Sequence, residues 1–402
     1  MGLYFLRKMD WLGAARCRAY LRILALLNVG MLVWLVAGSH GGIDRNGFLL
    51  GSDFISFWTA GHMLREGADI YDGGAHIAAQ RAYYASAGGY TAFFYPPSFL
   101  PFCWPLGGMG YFPALAGWLL TTATVYVAST RVWWHEAKLP VPLWLLILAF
   151  PAVPIVVTHG QTAFLVAGLL GAGLCLVPLR PVAAGVLLGL ATIKPQFGLL
   201  LPIVLLLTGQ WRTILAAVLT AGLLATASAM LFGVEVWAGW LAASGRAQEA
   251  MAAGAVGYAK MVSPFAALKL LGATTEVAYA GQALVILAVA AVLARVAWRA
   301  GWTTGLAALA LAGAPLATPF VLDYDMVLLA FPLIWLVGRG LRDGFDDWEK
   351  LAILLAFVGP AFARPLALSL GLPVMVPVLG LLFFVLWRKV SAPASPALPA
   401  AA

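Results

Sequence analysis

The sequence predicts an all-α polytopic membrane protein, and three observations support this prediction. Of the 402 residues, 63% are hydrophobic and only 10% are charged, whereas soluble domains are about half apolar and a quarter charged. Apolar segments long enough to form spanning helices recur along the chain. The basic residues, which give a net charge of +8, are scattered along short loops, so no basic stripe indicates nucleic acid as a partner.

A spanning helix needs about 20 mostly apolar residues, fewer where the bundle encloses it. This rule predicts about 12 spans, near 20–38, 111–130, 141–158, 161–178, 181–193, 195–208, 213–232, 277–299, 302–319, 325–339, 350–363 and 373–388. The segment 97–106 is too short to cross and contains two prolines. We expect it to form a helix in the membrane interface.

The charge distribution predicts the orientation. With the Arg-rich N-terminus in the cytoplasm, 16 of the 24 Lys and Arg residues lie on the cytoplasmic side, as the positive-inside rule requires. Both termini are then cytoplasmic, and residues 39–110 form a long first extracytoplasmic loop with interfacial helices. The first apolar segment could be a cleavable signal peptide, but the many spans after it favour a retained signal-anchor.

The domain prediction follows from the same pattern. Residues 1–388 form a single transmembrane domain, and residues 389–402, rich in Pro and Ala, form a disordered cytoplasmic tail. Cys17, Cys103 and Cys175 are far apart and have no metal-ligand spacing. We therefore expect no disulfide, no metal and no cofactor.

Each polar motif that interrupts an apolar segment falls on the predicted outer face. These motifs are the first loop, residues 159–161, residues 193–196 and residues 318–325. We expect them to converge on one site. Because three of them begin helices that run inward, helix N-termini with free N–H groups would face this site. Such N-termini bind phosphate.

Asp53 precedes the interfacial helix predicted from the segment "GSDFISFWTAGHMLREG". Its carboxylate could cap that helix, or it could act as a general base at the membrane surface. His62, on the same helix, could bind substrate or be a hydrogen-bonded interfacial histidine. Asp72, in "ADIYD", could bind sugar hydroxyls or belong to a solvated loop.

Lys194 is the cation for which a binding role is most strongly indicated, because it interrupts an apolar segment next to a helix-opening proline. It could bind phosphate, with Gln196 nearby, or extend its ammonium to the interface. His159 and Gln161 could orient a phosphate or a sugar, or satisfy backbone groups at a helix end.

The remaining candidates lie in an aromatic stretch and near the C-terminus. Tyr95, within residues 93–105, could line a lipid or sugar site or belong to an aromatic belt. Asp325 could cap the span that follows it, which would leave Asp323 and Tyr324 facing the site. Arg364 is a further cation on the predicted outer face.

Taken together, these motifs resemble the membrane-embedded glycosyltransferases of family 87, which have the GT-C architecture. The resemblance is carried by "DFISFWTAGHMLREGADIYD" and "YPP" in the first loop, "GQ" at 160–161, "KPQ" at 194–196 and the late "DYD". Family members that mannosylate phosphatidylinositol glycolipids tend to have histidines in the late outer loop. Here that loop has Asp323, Tyr324 and Asp325 instead.

The resemblance implies an inverting transfer of a sugar, typically mannose, from a polyprenyl-phosphate donor to a lipid or glycan acceptor on the outer face of the cytoplasmic membrane. It also implies that Asp53 is the catalytic base. Such a transfer needs no nucleotide and no obligatory metal. A transporter or flippase of lipid-linked sugars is the alternative, and it would have ionisable residues deep in its spans and symmetric halves. A third possibility is a non-catalytic partner subunit in which Asp53 has no essential role.

Overall fold

The computed structural model of the protein describes residues 2–85 and 91–392. Helices joined by turns make up this part of the chain, with isolated β-bridges and no strand among the described residues. Six segments of the described chain are long and apolar enough to cross a membrane: Ala14–Ala37, Tyr111–Ala137, Trp211–Phe232, Thr275–Ala300, Asp323–Asp343 and Glu349–Leu370. The all-α polytopic prediction is confirmed.

The α-helices are numbered in chain order. The first ten are α1 (Gly2–Lys8), α2 (Ala14–Ala37), α3 (Phe54–Arg65), α4 (Gly73–Tyr83), α5 (Leu100–Leu106), α6 (Tyr111–Ala137), α7 (Leu143–Ala149), α8 (Ala152–His159), α9 (Ala163–Leu176) and α10 (Pro181–Leu190). The others are α11 (Leu201–Leu207), α12 (Trp211–Phe232), α13 (Glu235–Ala252), α14 (Pro264–Leu270), α15 (Thr275–Ala300), α16 (Thr304–Gly313), α17 (Ala330–Asp343), α18 (Glu349–Leu370) and α19 (Met375–Ser391).

Four shorter apolar helical segments pack among the long helices. They are Ala163–Leu176, Pro181–Ile193, Pro195–Leu207 and Thr304–Ala317. Two of them, α9 and α16, are buried along almost their whole length. A helix enclosed by other helices does not need to match the full hydrocarbon thickness. The total of 12 spans stays a prediction.

One predicted span differs from the structure, and one helix of the structure was not predicted. The single span predicted at 141–158 is two helices, α7 and α8, separated at Phe150 and Pro151. Phe150 has extended backbone angles, because a proline disfavours the helical conformation in the residue before it. Helix α13 was not predicted, because its residues, including Glu235, Arg246 and Glu249, are too polar to be recognised as a span.

The predicted tail begins too early. Helix α19 continues through Ser391, and Lys389 is buried in the bundle, where its ammonium binds the carboxylates of Asp346 and Glu349. These contacts stabilise the last helical turn, so residues 389–391 are not part of a disordered tail. Residues 393–402, the rest of the predicted tail, lie outside the described part of the chain.

The bundle has two ends, which differ in what they carry. The loop end carries residues 39–85 and 91–110 and the start of α9. The terminal end carries both termini of the described chain, because Arg7 of α1 binds Asp347 and Lys389 of α19 binds Asp346. The side of the membrane on which each end lies stays a prediction.

Helix α3, which follows Asp53, is fixed against α5 at a glycine–glycine crossing. A Cβ atom on Gly61 would lie 2.0 Å from the carbonyl oxygen of Cys103, and one on Gly107 would lie 2.1 Å from the carbonyl carbon of Gly61. Glycine is therefore required at both positions. The segment predicted as one interfacial helix at 97–106 is a 3-10 turn, Pro97–Phe99, followed by α5, and it is largely buried rather than lying on the surface.

Candidate active site

The backbone of the first loop places Asp53 at the end of α8. The Gly51 amide donates to the carbonyl of Thr158 and the Asp53 amide donates to that of His159, each at 3.0 Å. Gly160 ends α8 in the left-handed conformation, with φ of +66°. A Cβ atom there would lie 2.6 Å from Cβ of Phe54, so the glycine of the "GQ" motif permits this approach.

The Asp53 side chain does not cap α3, although the residue occupies the N-cap position. Its Oδ2 accepts a hydrogen bond of 2.8 Å from Nε2 of Gln161. Among residues 2–85 and 91–392, no hydrogen bond to Asp53 Oδ1 forms. One carboxylate oxygen is therefore held in position and the other remains available.

Tyr95 supports Gln161 from the other side. The Tyr95 hydroxyl lies 3.1 Å from Oε1 of Gln161 and 2.8 Å from Oγ1 of Thr162. Desolvation raises the pKa of Tyr95 well above its usual value, so the phenol keeps its proton at neutral pH. The amide of Thr162 also donates to Oε1 of Gln161, at 3.1 Å. The Gln161 carbonyl is thus fixed, and its NH2 group points to Asp53.

His159 connects Asp53 to the late motif. Its backbone carbonyl receives the Asp53 amide, and its Nδ1 lies 2.8 Å from the carbonyl of Ile155. Because a carbonyl only accepts, Nδ1 carries the hydrogen and a neutral ring presents Nε2 as an acceptor. Nε2 faces the guanidinium of Arg364 at 3.4 and 3.5 Å. The His159 and Tyr324 ring centroids are 5.8 Å apart.

Arg364 and Asp323 form a bidentate ion pair. The guanidinium donates from Nε to Oδ2 at 2.7 Å and from Nη2 to Oδ1 at 3.0 Å. Asp323 is buried, whereas the Arg364 side chain is 25% exposed. The pair fixes the orientation of the guanidinium. The exposed part of the Arg364 side chain is accessible to a ligand.

Lys194 and Asp325 form a second pair, which is buried. Their Nζ and Oδ1 atoms are 2.6 Å apart, and both side chains are at most 4% exposed. The other oxygen of Asp325 accepts from the Leu322 amide. Lys194 therefore does not extend to the interface, and its charge is already neutralised. Burial of an unpaired ammonium is costly, and Asp325 offsets this cost, so phosphate binding by Lys194 stays a prediction.

Of the three helix N-termini that were predicted to face the site, only one begins as an α-helix. Helix α9 begins at Ala163, directly after the site. The other two segments begin with 3-10 turns, Pro195–Gly198 and Asp323–Leu329. Asp325 also accepts one of the early amides of its own turn. The site therefore has fewer free N–H groups than the sequence predicts.

Three predicted residues lie outside this network of contacts. His62 is 46% exposed, lies 3.3 Å from Glu66 and stacks on Trp58. Asp72 caps α4 by accepting from the amides of Gly74 and Ala75. Gln196, half-buried in its 3-10 turn, follows Lys194 closely but has no side-chain hydrogen bond in the described structure. The other nine predicted residues are connected: Asp53, Tyr95, His159, Gln161, Lys194, Asp323, Tyr324, Asp325 and Arg364.

Thr162 belongs to the network but was not predicted. It lies directly after Gln161 and binds Tyr95, which is far from it in sequence. In the sequence, only its position next to Gln161 could have indicated that it belongs to the site. Within the described ranges, no group of three or more His, Cys, Asp or Glu side chains is arranged to hold a metal ion.

The sequence model of glycosyltransferase family 87 matches residues 93–319, more than half of the chain. The chain belongs to glycosyltransferase family 87. It is a multi-pass membrane protein and a glycosyltransferase. No curated protein and no solved structure matches the chain.

The match to family 87 includes one part of the contact network. Tyr95, His159, Gln161 and Lys194 lie within the matched residues, whereas Asp53 precedes them and residues 323–325 and Arg364 follow them. The unmatched residues join the matched ones through direct contacts. Asp53 binds Gln161, Asp325 binds Lys194, and Arg364 faces His159.

Proposed function

We propose that this family 87 protein transfers a sugar, with mannose as the first candidate, from a polyprenyl-phosphate donor to a lipid or glycan acceptor. The reaction takes place at the outer face of the cytoplasmic membrane and inverts the anomeric carbon. Asp53 is the general base. No cofactor takes part. The observation that carries the proposal is the Asp53 carboxylate, which Gln161 holds through one oxygen while the other makes no hydrogen bond among the described residues.

The chemistry requires a base on one face of the sugar and a leaving phosphate on the other. The acceptor hydroxyl forms a bond to the anomeric carbon as the bond from that carbon to the phosphate oxygen breaks. Its proton passes to the free oxygen of Asp53. The bonding electrons leave with polyprenyl phosphate, which gains negative charge. A positioned cation that stabilises this charge lowers the barrier.

Arg364 is the side chain best placed to meet the leaving phosphate. Its side chain is partly exposed, and its guanidinium is oriented by Asp323 and adjacent to His159. Guanidinium groups bind phosphate oxygens through two parallel hydrogen bonds. Lys194 lies behind Tyr324, 5.0 Å from its ring centroid, and balances Asp325. In this assignment Lys194 contributes to donor binding mainly through its ordering of the late motif.

The proposed base is tested by Asp53→Asn in purified protein reconstituted in lipid. Labelled polyprenyl-phosphate mannose is supplied with a panel of lipid and glycan acceptors, and a glucose-carrying donor tests the choice of sugar. We expect the wild type to form product and the transfer rate of the variant to be lower by about 10²–10⁴-fold, the usual contribution of a general base. The side chain of asparagine has nearly the same shape, so thermal unfolding should change little.

Asp72→Asn is the matched control, because it removes a carboxylate of the same loop that only caps α4. Because asparagine caps a helix about as well as aspartate does, this variant should change stability little and leave transfer intact. Equal transfer by wild type and Asp53→Asn would exclude Asp53 as the base. Movement of labelled donor across the vesicle without product would instead identify a flippase.

A further inference from the structure

Three arginines surround a cavity at the terminal end of the bundle. Arg295 and Arg299 lie in the last turns of α15, and Arg388 lies in the last turn of α19. They line a cavity of about 760 Å³ together with Asp346 and the aromatic residues Phe384 and Trp387. Two helices that are far apart in sequence thus bring their basic ends to one place.

The charge of the cavity is strongly positive. Its one acidic lining residue, Asp346, also binds Lys389, at 3.1 Å, so the three arginines outnumber the carboxylates of the lining. Among the described residues, none of the three arginines forms a salt bridge. The guanidinium of Arg388 lies 5.9 Å from the ring centroid of Phe384. The lining therefore combines phosphate-binding groups with an apolar, aromatic wall.

Each arginine taken singly has an ordinary structural explanation. Cations in the last turn of a helix interact favourably with its dipole, and long basic side chains extend to the membrane interface. These effects act on each helix by itself. They do not require the arginines of α15 and α19 to share a cavity with Trp387, and this arrangement is the observation that indicates a ligand.

We propose that this cavity binds the phosphate headgroup of an anionic phospholipid. Basic pockets between spanning helices bind such headgroups. A lipid fits better than a free anion because Phe384, which lines the cavity, is 45% exposed at the end of an apolar helix. An acyl chain can therefore continue along the helix while the phosphate contacts the arginines. This inference does not depend on the proposed transferase mechanism.

The test measures lipid binding by the full-length protein in neutral detergent. Short-chain phosphatidylglycerol is added, and its binding is followed by native mass spectrometry and by the shift in thermal unfolding midpoint. Phosphatidylcholine is the neutral comparison. Each basic side chain contributes about a fivefold gain in affinity for an anionic surface, so R295Q/R299Q/R388Q should bind phosphatidylglycerol at least tenfold more weakly than wild type.

The matched control is R131Q/R180Q/R212Q, which removes three exposed arginines outside the cavity. It should bind phosphatidylglycerol as wild type does. If the triple variant does not fold, the single variant R299Q tests the proposal, and its affinity for phosphatidylglycerol should be about fivefold weaker than that of the wild type. Equal phosphatidylglycerol binding by wild type and the cavity variants would overturn the proposal.

Two further arms identify the occupant. Inorganic phosphate that matches phosphatidylglycerol in affinity would overturn the lipid assignment in favour of a free anion. A chain ending at Ala392 should bind phosphatidylglycerol as the full chain does, and binding by the shortened chain alone would show that residues 393–402 occupy the cavity instead. Glycosyl transfer should be unchanged in R295Q/R299Q/R388Q, because none of the three contacts the Asp53 network.

Discussion

The two ends of the bundle each bury a lysine, and the two lysines are bound differently. At the terminal end, Lys389 is 6% exposed and donates to the carbonyl of Gly344, to Asp346 and to Glu349. At the loop end, Lys194 is 4% exposed and donates only to Asp325 among the described residues. An ammonium has three hydrogens, so Lys389 is saturated and Lys194 is not.

This difference separates a structural cluster from a reactive one. A saturated ion cluster holds helices together and has no group left for a ligand. The loop-end network contains a carboxylate oxygen without a hydrogen bond in the described structure and the partly exposed side chain of Arg364. Incompletely satisfied polar groups are rare inside proteins because they are costly, and they occur where a ligand completes them. The comparison predicts that substitutions in the Lys389 cluster affect stability but not transfer, whereas substitutions in the Asp53 network affect transfer.

The largest further effect is expected for Lys389→Met. The substitution leaves the buried Glu349 carboxylate without its cation, and loss of one partner of a buried pair costs about 3–5 kcal/mol. Thermal unfolding in detergent should therefore occur at a much lower temperature. Transfer by the molecules that remain folded should be unchanged. Lys389→Met/Glu349→Gln should recover most of the stability, and failure to do so would show that Glu349 is not the cause.

Lys194 gives the second prediction. Lys194→Met alone should destabilise the protein, because it leaves Asp325 buried and unpaired. Lys194→Met/Asp325→Asn removes both charges and should recover the stability. Its apparent affinity for the donor should nevertheless be about tenfold weaker than that of the wild type. Donor titrations of the transfer reaction measure this. An unchanged affinity in the stable double variant would place Lys194 in the same structural class as Lys389.

Gln161→Leu is expected to have a smaller effect on transfer. It keeps the size of the side chain but removes the hydrogen bond that fixes Asp53 Oδ2. The turnover number should fall by about tenfold with little change in KM, because the base remains but is less well oriented. Gln161→Glu is less informative, because it adds a charge next to Asp53.

The smallest effect is expected for His62→Ala. His62 is exposed, pairs with Glu66 and stacks on Trp58. Its contact with Glu66 is therefore a surface ion pair. Surface ion pairs contribute about 0–1 kcal/mol, and transfer rates should change by less than twofold. A large loss of transfer, measured with saturating donor, would instead show that the acceptor binds along this surface of α3.

The sequence predicts the apolar helices well because a membrane-spanning helix is a local feature. Helices α12 and α15 begin and end close to the predicted spans, and α6 begins at the predicted residue but continues past the predicted end to Ala137. Helix α13 could not be predicted in this way, since an amphipathic segment depends on what packs against it. The break at Pro151 had a local signal, the proline itself, but the long apolar run on both sides concealed it.

The candidate site was predictable as a set of residues but not as a set of contacts. Asp53, Gln161 and Arg364 each stand out as polar residues at the end of an apolar segment. The pairing of Lys194 with Asp325 joins positions 131 residues apart, and no local pattern encodes it. That pairing changes the electrostatics of the site, because two of its three carboxylates balance its two cations. The residue types therefore indicated the chemistry of the site, whereas its net charge could be derived only from the folded structure.

The crossing of Gly61 with Gly107 has a consequence for how the enzyme meets its substrates. Two backbones in direct contact leave no layer of side chains that could slide or rotate between them. The short helix after Asp53 is consequently held in a fixed position against α5. In the proposed reaction, the lipid-linked donor must therefore adjust its own conformation to reach Asp53.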